Sequence, residues 1–290
     1  MSIPFEIGKG SGHPHIPVLV NGKGPFTFTL DTGAVLTSIT PKLAAELGIE
    51  IYEREKAMAS GVGGGRIDVK FATVDSIQVG SEVHGKDEVL VIDFDSVLGC
   101  FTPGVLGHSF LKNYLVHVNY KTKTMNLIKS KEGNPSNYNG LPWIDFEYIA
   151  GTHLITVPVY INNEGPVHLV VDTGSSGTVI TPKTAEKLGF TRENKTADVQ
   201  VKSPISEGCS SGCQGVGGFA PGYAVQANAI TAGSRTQVNT TLAVIDLNIV
   251  SSCGSTVHDG IIGYPFLKDL ELYIDYPNKR IAFVDEMSNN

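Results

Sequence analysis

Residues 26–30, Phe26-Thr27-Phe28-Thr29-Leu30, alternate apolar and hydroxyl side chains. A period near two predicts a strand with one face buried. Residues 167–171 form a second apolar strand of the same length. Each of these strands ends on an aspartate, Asp31 or Asp172, followed by Thr-Gly. The glycine lets the chain turn closely there. A further apolar strand follows each turn, over 35–39 and over 178–180. Next comes a short helix with clear punctuation. Thr40 caps it, Pro41 takes its first position and Gly48 stops it. Thr181, Pro182 and Gly189 repeat that punctuation. The remaining pattern is strand and turn, so the expected class is all-β with short helices only.

These similarities belong to a longer repeat. HIPVLVNGKGPFTFTLDTGA (15–34) matches TVPVYINNEGPVHLVVDTGS (156–175), with Asp31 and Asp172 141 positions apart. Gly61-Val62-Gly63-Gly64 matches Gly215-Val216-Gly217-Gly218 at an offset of 154, so the second copy has gained 13 residues. GVLGHSFLKN (104–113) matches GIIGYPFLKD (260–269), and 119–128 matches 275–284, both at an offset of 156. Four blocks in one order mark a duplication. Residues 131–142, KEGNPSNYNGLP, are rich in turn formers and lack periodicity. They read as a linker between an N-terminal lobe, 1–130, and a C-terminal lobe, 143–290. Two similar lobes imply a pseudo-two-fold axis, as in an isologous dimer.

Composition narrows the functional classes. The net charge of −7 argues against a nucleic-acid surface, which needs clustered Lys and Arg. No apolar run approaches the 18 to 20 residues that span a bilayer. The start, Met-Ser-Ile-Pro-Phe-Glu, does not read as a signal peptide. A periplasmic or secreted location, with any signal already removed, is expected over the cytoplasm. Cys100, Cys209, Cys213 and Cys253 lack metal-site spacing. They read as buried or free thiols, or as a local Cys209–Cys213 bridge in an oxidising compartment. No metal or cofactor is expected.

A lone Asp-Thr-Gly is an ordinary turn. Two at equivalent positions differ in weight, because each is followed downstream by an apolar-apolar-Gly block, Val105-Leu106-Gly107 and Ile261-Ile262-Gly263. On these motifs the chain resembles the aspartic peptidases over nearly its whole length. The block from Asp259 through Phe266-Leu267 to Asp275-Tyr276 looks most like the bacterial tandem retropepsin-like proteins. The resemblance implies a bilobal aspartic protease fold of two retropepsin-like β-barrel lobes. It implies two catalytic aspartates, Asp31 and Asp172, that face each other and share one proton. Thr32 and Thr173 would lock the two loops across the axis. Gly33 and Gly174 would aim N–H groups at the carboxylates. Ala34 and Ser175 differ, and a hydroxyl at Ser175 would make Asp172 the more readily ionised partner. One such hydroxyl suggests a mildly acidic optimum. Residues 61–64 and 215–218 would form flap hairpins over the substrate. Arg66 to Phe71 alternate like a strand, which sets a phosphate loop aside.

The expected activity is endopeptidase cleavage of a peptide or protein substrate between the lobes. A monomer suffices, since both half-sites lie in one chain. The alternative is a peptide-binding protein on the same fold with little or no catalysis. A glycosidase would use two carboxylates but does not account for the duplication. No Gly-x-Ser-x-Gly elbow or His-Glu-x-x-His helix supports serine or zinc hydrolysis. His13, His15 and His258 read as surface or loop residues. His108 and Tyr264 read as structural, and Asp93 and Asp95 as solvated.

Overall fold

The computed structural model describes residues 2–54, 58–60, 66–95, 102–129, 138–191, 195–199, 214–215, 218–219, 222–247 and 259–285. The four cysteines, His258, Gly61 to Gly64, Val216, Gly217 and residues 131–137 of the expected linker lie outside them. The fold is mostly β, with two lobes and short helices.

The duplication in sequence is a duplication in strand order. In the N-terminal half the sheet runs Pro14–Val20, Lys23–Leu30, Gly104–Leu106, Ser38–Ile39, Asp87–Val91, Lys70–Val74, Ile51–Tyr52. In the C-terminal half it runs Ile155–Ile161, Glu164–Val171, Gly260–Ile262, Val179–Ile180, Arg235–Ile245, Gly222–Ala232, Lys195–Val199. The seven positions correspond one to one. Both Asp-bearing strands lie parallel to the apolar-apolar-Gly segment, with Leu30 opposite Leu106 and Val171 opposite Ile262. Parallel pairing buries both faces of such strands, which explains why these segments are continuously apolar at their ends. Phe28, Leu30 and Leu106 are fully buried in one half, as are Leu169, Val171 and Ile262 in the other.

One difference separates the halves away from the loops. The C-terminal half has an unbroken hairpin of two 11-residue strands, Gly222–Ala232 and Arg235–Ile245. In the N-terminal half the corresponding stretch is divided into Lys70–Val74, Ile77–Val79, Glu82–His84 and Asp87–Val91.

A third sheet joins the halves. Its order is Ile3–Pro4, Thr124–Lys129, Tyr114–Asn119, Glu271–Asp275, Arg280–Val284, Ile144–Asp145. Tyr114–Asn119 and Glu271–Asp275 pair antiparallel with His117 opposite Tyr273. Those two residues are equivalents in the repeat, so the pseudo-two-fold axis passes between them. Their rings stack at 4.1 Å with an interplanar angle of 8°. One hydrophobic core runs through both halves, joining Phe110, Met125 and Val116 to Phe266, Leu272 and Phe283.

The helices follow their punctuation. Thr40 accepts from Leu43 N to cap Pro41–Leu47, and Gly48 closes it in the left-handed region at φ 70. Thr181 accepts from Thr184 N to cap Pro182–Lys187. The strand expected over 35–39 is shorter, only Ser38–Ile39. The carbonyls of Ala34 and Val35 instead accept from His108 N and Ser109 N at the start of the helix His108–Leu111, which takes them out of any ladder. No described helix is long and apolar enough to cross a membrane.

Candidate active site

The two Asp-Thr-Gly turns meet across the pseudo-two-fold axis. Thr32 Oγ1 donates to the Val171 carbonyl at 2.8 Å and accepts from Thr173 N at 3.1 Å. Thr173 Oγ1 donates to the Leu30 carbonyl at 2.8 Å and accepts from Thr32 N at 3.1 Å. Both threonines are buried. The four bonds form a reciprocal set, each hydroxyl filling a donor and an acceptor of the opposite strand. Each loop is also held from below, since Asp31 N donates to Leu106 O at 3.1 Å and Asp172 N to Ile262 O at 3.0 Å.

This lock brings the carboxyls together. A Cβ added to Gly33 would lie 2.8 Å from Asp172 Oδ2, and one added to Gly174 would lie 2.5 Å from Asp31 Cγ. Only glycine lets each loop approach the opposite aspartate so closely. Both aspartates are half-buried, with the exposed Val35 and Ser176 beside them at the open side of the loops. The structure therefore brings together Asp31, Thr32, Gly33, Ala34, Asp172, Thr173, Gly174 and Ser175. Of the expected flap positions, only the backbones of Gly215 and Gly218 are described, and they pair with each other in a small hairpin.

The two carboxyls are held unequally. Asp31 Oδ1 accepts from Gly33 N at 2.7 Å and from Ala34 N at 3.0 Å. Asp172 Oδ1 accepts from Gly174 N at 2.8 Å. Burial and the adjacent Asp31 charge hold the Asp172 carboxyl well above the usual carboxylate range. The hydroxyl expected from Ser175 is not on the Asp172 carboxyl. It donates to the Gly177 carbonyl at 2.9 Å, and the Ser175 N–H faces the backbone carbonyl of Asp172 at 3.2 Å. The serine is spent on its own turn, and the Asp172 carboxyl has the Gly174 and Gly33 N–H groups instead.

Several aromatic and imidazole groups lie close to the loops. His153 Nε2 lies 2.8 Å from the Gly33 carbonyl, and since a carbonyl only accepts, this nitrogen carries the proton. The His108 ring packs at 5.5 Å from both the His153 and the Tyr276 rings. Burial, with His153 and Lys112 nearby, lowers His108 to about 4. Tyr120 and Tyr276, equivalents in the repeat, are both buried, and burial pushes both phenols far up.

His13 is not a free surface residue. It is largely enclosed and close enough to Asp31 to feel its charge, though desolvation outweighs that charge and lowers its pKa. His153 went unremarked in the sequence, because its repeat equivalent, at the offset of 141, is Gly12. Asp93 and Asp95 are exposed, as expected. Among the described residues no group of His, Cys, Asp and Glu could hold a metal ion.

A family model described as aspartyl protease matches residues 16–110 and again 157–266. Among solved structures the chain is similar to basic 7S globulin from soybean, with a TM-score of 0.52 and 10% identity, covering 97% of this chain and 94% of that one. At that identity the likeness concerns the fold alone. No curated protein matches the chain.

Proposed function

Since this chain belongs to the aspartyl protease family, matching its model once in each half, we propose that it is an aspartic endopeptidase whose reacting groups are Asp31 and Asp172. The lobes are then 1–130 and 143–290, joined by 131–142, with the substrate lying extended between them. The observation that carries this reading is the reciprocal threonine lock, which sets one carboxyl against the opposite Asp-Thr-Gly turn in each direction.

The chemistry follows from charge. Two unit charges about 4 Å apart repel by about 4 kcal/mol at an effective dielectric near 20. A facing pair of carboxyls therefore keeps one proton over a broad pH range. Asp31, with the Gly33 and Ala34 N–H groups converging on one oxygen, acts as the carboxylate, and Asp172, the member raised by burial and the Asp31 charge, acts as the acid. Asp31 takes a proton from a water held between the two. The resulting hydroxide oxygen bonds to the scissile carbonyl carbon. Asp172 gives its proton to the carbonyl oxygen, and a tetrahedral diol forms. In the second half Asp31 returns its proton to the leaving nitrogen. Asp172 recovers one from a diol hydroxyl as the C–N bond breaks. The dyad ends in its starting state, with no covalent intermediate.

The pH range follows from the same asymmetry. Activity falls at the alkaline end when Asp172 loses its proton. Because Asp172 is raised, that limb moves toward neutrality and the optimum is mildly acidic. The test is incubation with denatured casein or a mixed peptide library across pH 3–7, with and without pepstatin. New internal cuts abolished by pepstatin are expected. Retention of peptides without any cut at any of these pH values would replace the enzyme by a peptide-binding protein.

A further inference from the structure

The Asp31 carboxyl takes the N–H of the third residue of its own turn, Ala34, whereas the Asp172 carboxyl does not take that of Ser175, and the Ala34 donor belongs to a peptide held from the other half of the chain. The Ala34 N–H that reaches Asp31 Oδ1 at 3.0 Å shares its peptide plane with the Gly33 carbonyl. That carbonyl is the acceptor of His153 Nε2 at 2.8 Å. Among the described residues no hydrogen bond to the Gly174 carbonyl serves as the counterpart. Gly12 stands where the repeat would place a histidine, with φ +77 and the Tyr264 ring against it. There the corresponding Ser175 N–H bonds the Asp172 backbone carbonyl at 3.2 Å and not the carboxyl, whereas the Ala34 N–H, 3.4 Å from the Asp31 backbone carbonyl, lies closer to Asp31 Oδ1.

We propose that His153 is a positioning residue for the dyad: by donating to the Gly33 carbonyl it fixes the Gly33–Ala34 peptide so that the Ala34 N–H serves the Asp31 carboxylate, and it thereby selects Asp31 as the ionised member. This rests on the reading of Asp31 and Asp172 as the reacting pair. A fixed amide plane both aims and polarises its N–H, and a hydrogen bond to the charged form favours that form. His153 acts through the peptide and does not touch the carboxyls by any bond described. The groups facing it are the Gly33 carbonyl, the Asp31 charge and the His108 ring. His108 in turn faces Tyr148, Tyr276 and Lys112. Burial lowers His153 despite the Gly33 carbonyl and Asp31, so a neutral ring with its proton on Nε2 is the working form.

The test reads the dyad directly. The full chain is labelled with 13C at the aspartate carboxyls and titrated by NMR as wild type, His153→Phe and His153→Gln. Phe keeps a packed ring without the donor, and Gln offers an amide donor to the same carbonyl. Thermal unfolding and the pH dependence of kcat/KM are recorded alongside. In His153→Phe the lower apparent pKa of the pair should rise by about one pH unit, a tenfold loss of ionised dyad on its acid side. His153→Gln should restore most of it. A folded His153→Phe whose dyad titrates as in the wild type overturns the inference, as does an equal shift in both variants. The readouts separate the two claims. A wild type that cleaves no peptide but shows the predicted titration refutes the peptidase and leaves the positioning intact. A wild type that cleaves while the titration does not move does the reverse.

Discussion

The two Asp-Thr-Gly loops are nearly interchangeable in backbone and sharply different in what surrounds them. Each threonine bridges to the opposite half with the same two distances, 2.8 and 3.1 Å. Each aspartate N–H reaches the threading strand, at 3.1 and 3.0 Å. The surroundings then diverge: His153 against Gly12, His108 against Tyr264, Ala34 against Ser175. Symmetry in the loops brings two identical groups into contact. In the mechanism we propose, asymmetry around them decides which one holds the proton. A perfectly symmetric pair would share it without preference, as in a dimer of identical halves.

The symmetric part makes the strongest predictions. Asp31→Asn and Asp172→Asn should each abolish peptide cleavage, with kcat reduced at least about 10³-fold, because each removes half of a shared acid–base pair. Retained activity in either variant, measured on the same peptide, would confine catalysis to one half. Gly33→Ala and Gly174→Ala come next. Their new Cβ would press on the opposite carboxyl, at 2.8 Å from Asp172 Oδ2 and 2.5 Å from Asp31 Cγ. Displacing a reacting group by a few tenths of an ångström or more should cost about 10²-fold in kcat/KM with similar losses on both sides.

Stability sharpens the comparison in a second way. Thr32→Val and Thr173→Val each strip a donor and an acceptor from a buried reciprocal set. Each should destabilise the chain by about 1–3 kcal/mol, read from urea unfolding, and the double variant should lose less than the sum. Asp172→Asn should do the opposite at neutral pH. The folded pKa of Asp172 lies above its unfolded value, so its favourable contribution is present at low pH and lost as pH rises through the folded value. The variant should therefore melt about 2–4 °C higher than the wild type at pH 7 and show no gain near pH 3. The smallest effect belongs to Ser175→Ala. Its hydroxyl serves the Gly177 carbonyl, so kcat/KM should change by less than about threefold.

Much of this was legible in the sequence because it is local or repeated. The caps at Thr40 and Thr181 are set by side chains three residues from their targets. The facing loops were implied by the resemblance to the aspartic peptidases, which two Asp-Thr-Gly turns and two threading segments in one order carry. His153 was not legible, since its bond to Gly33 spans 120 positions and the repeat offers a glycine at its place. Ser175 misled because a sequence names a hydroxyl without naming its rotamer. His13 sits one position beyond the glycine that makes room for Tyr264, and no periodicity marks it as enclosed.

A crystal structure with a peptide analogue carrying a tetrahedral hydroxyl in place of the scissile carbonyl probes the dyad itself. The hydroxyl should lie between the lobes, within about 2.5–3.2 Å of a carboxylate oxygen of both Asp31 and Asp172. An analogue seated elsewhere, or a hydroxyl bonded to one aspartate with the other turned away, would contradict shared activation of a single water.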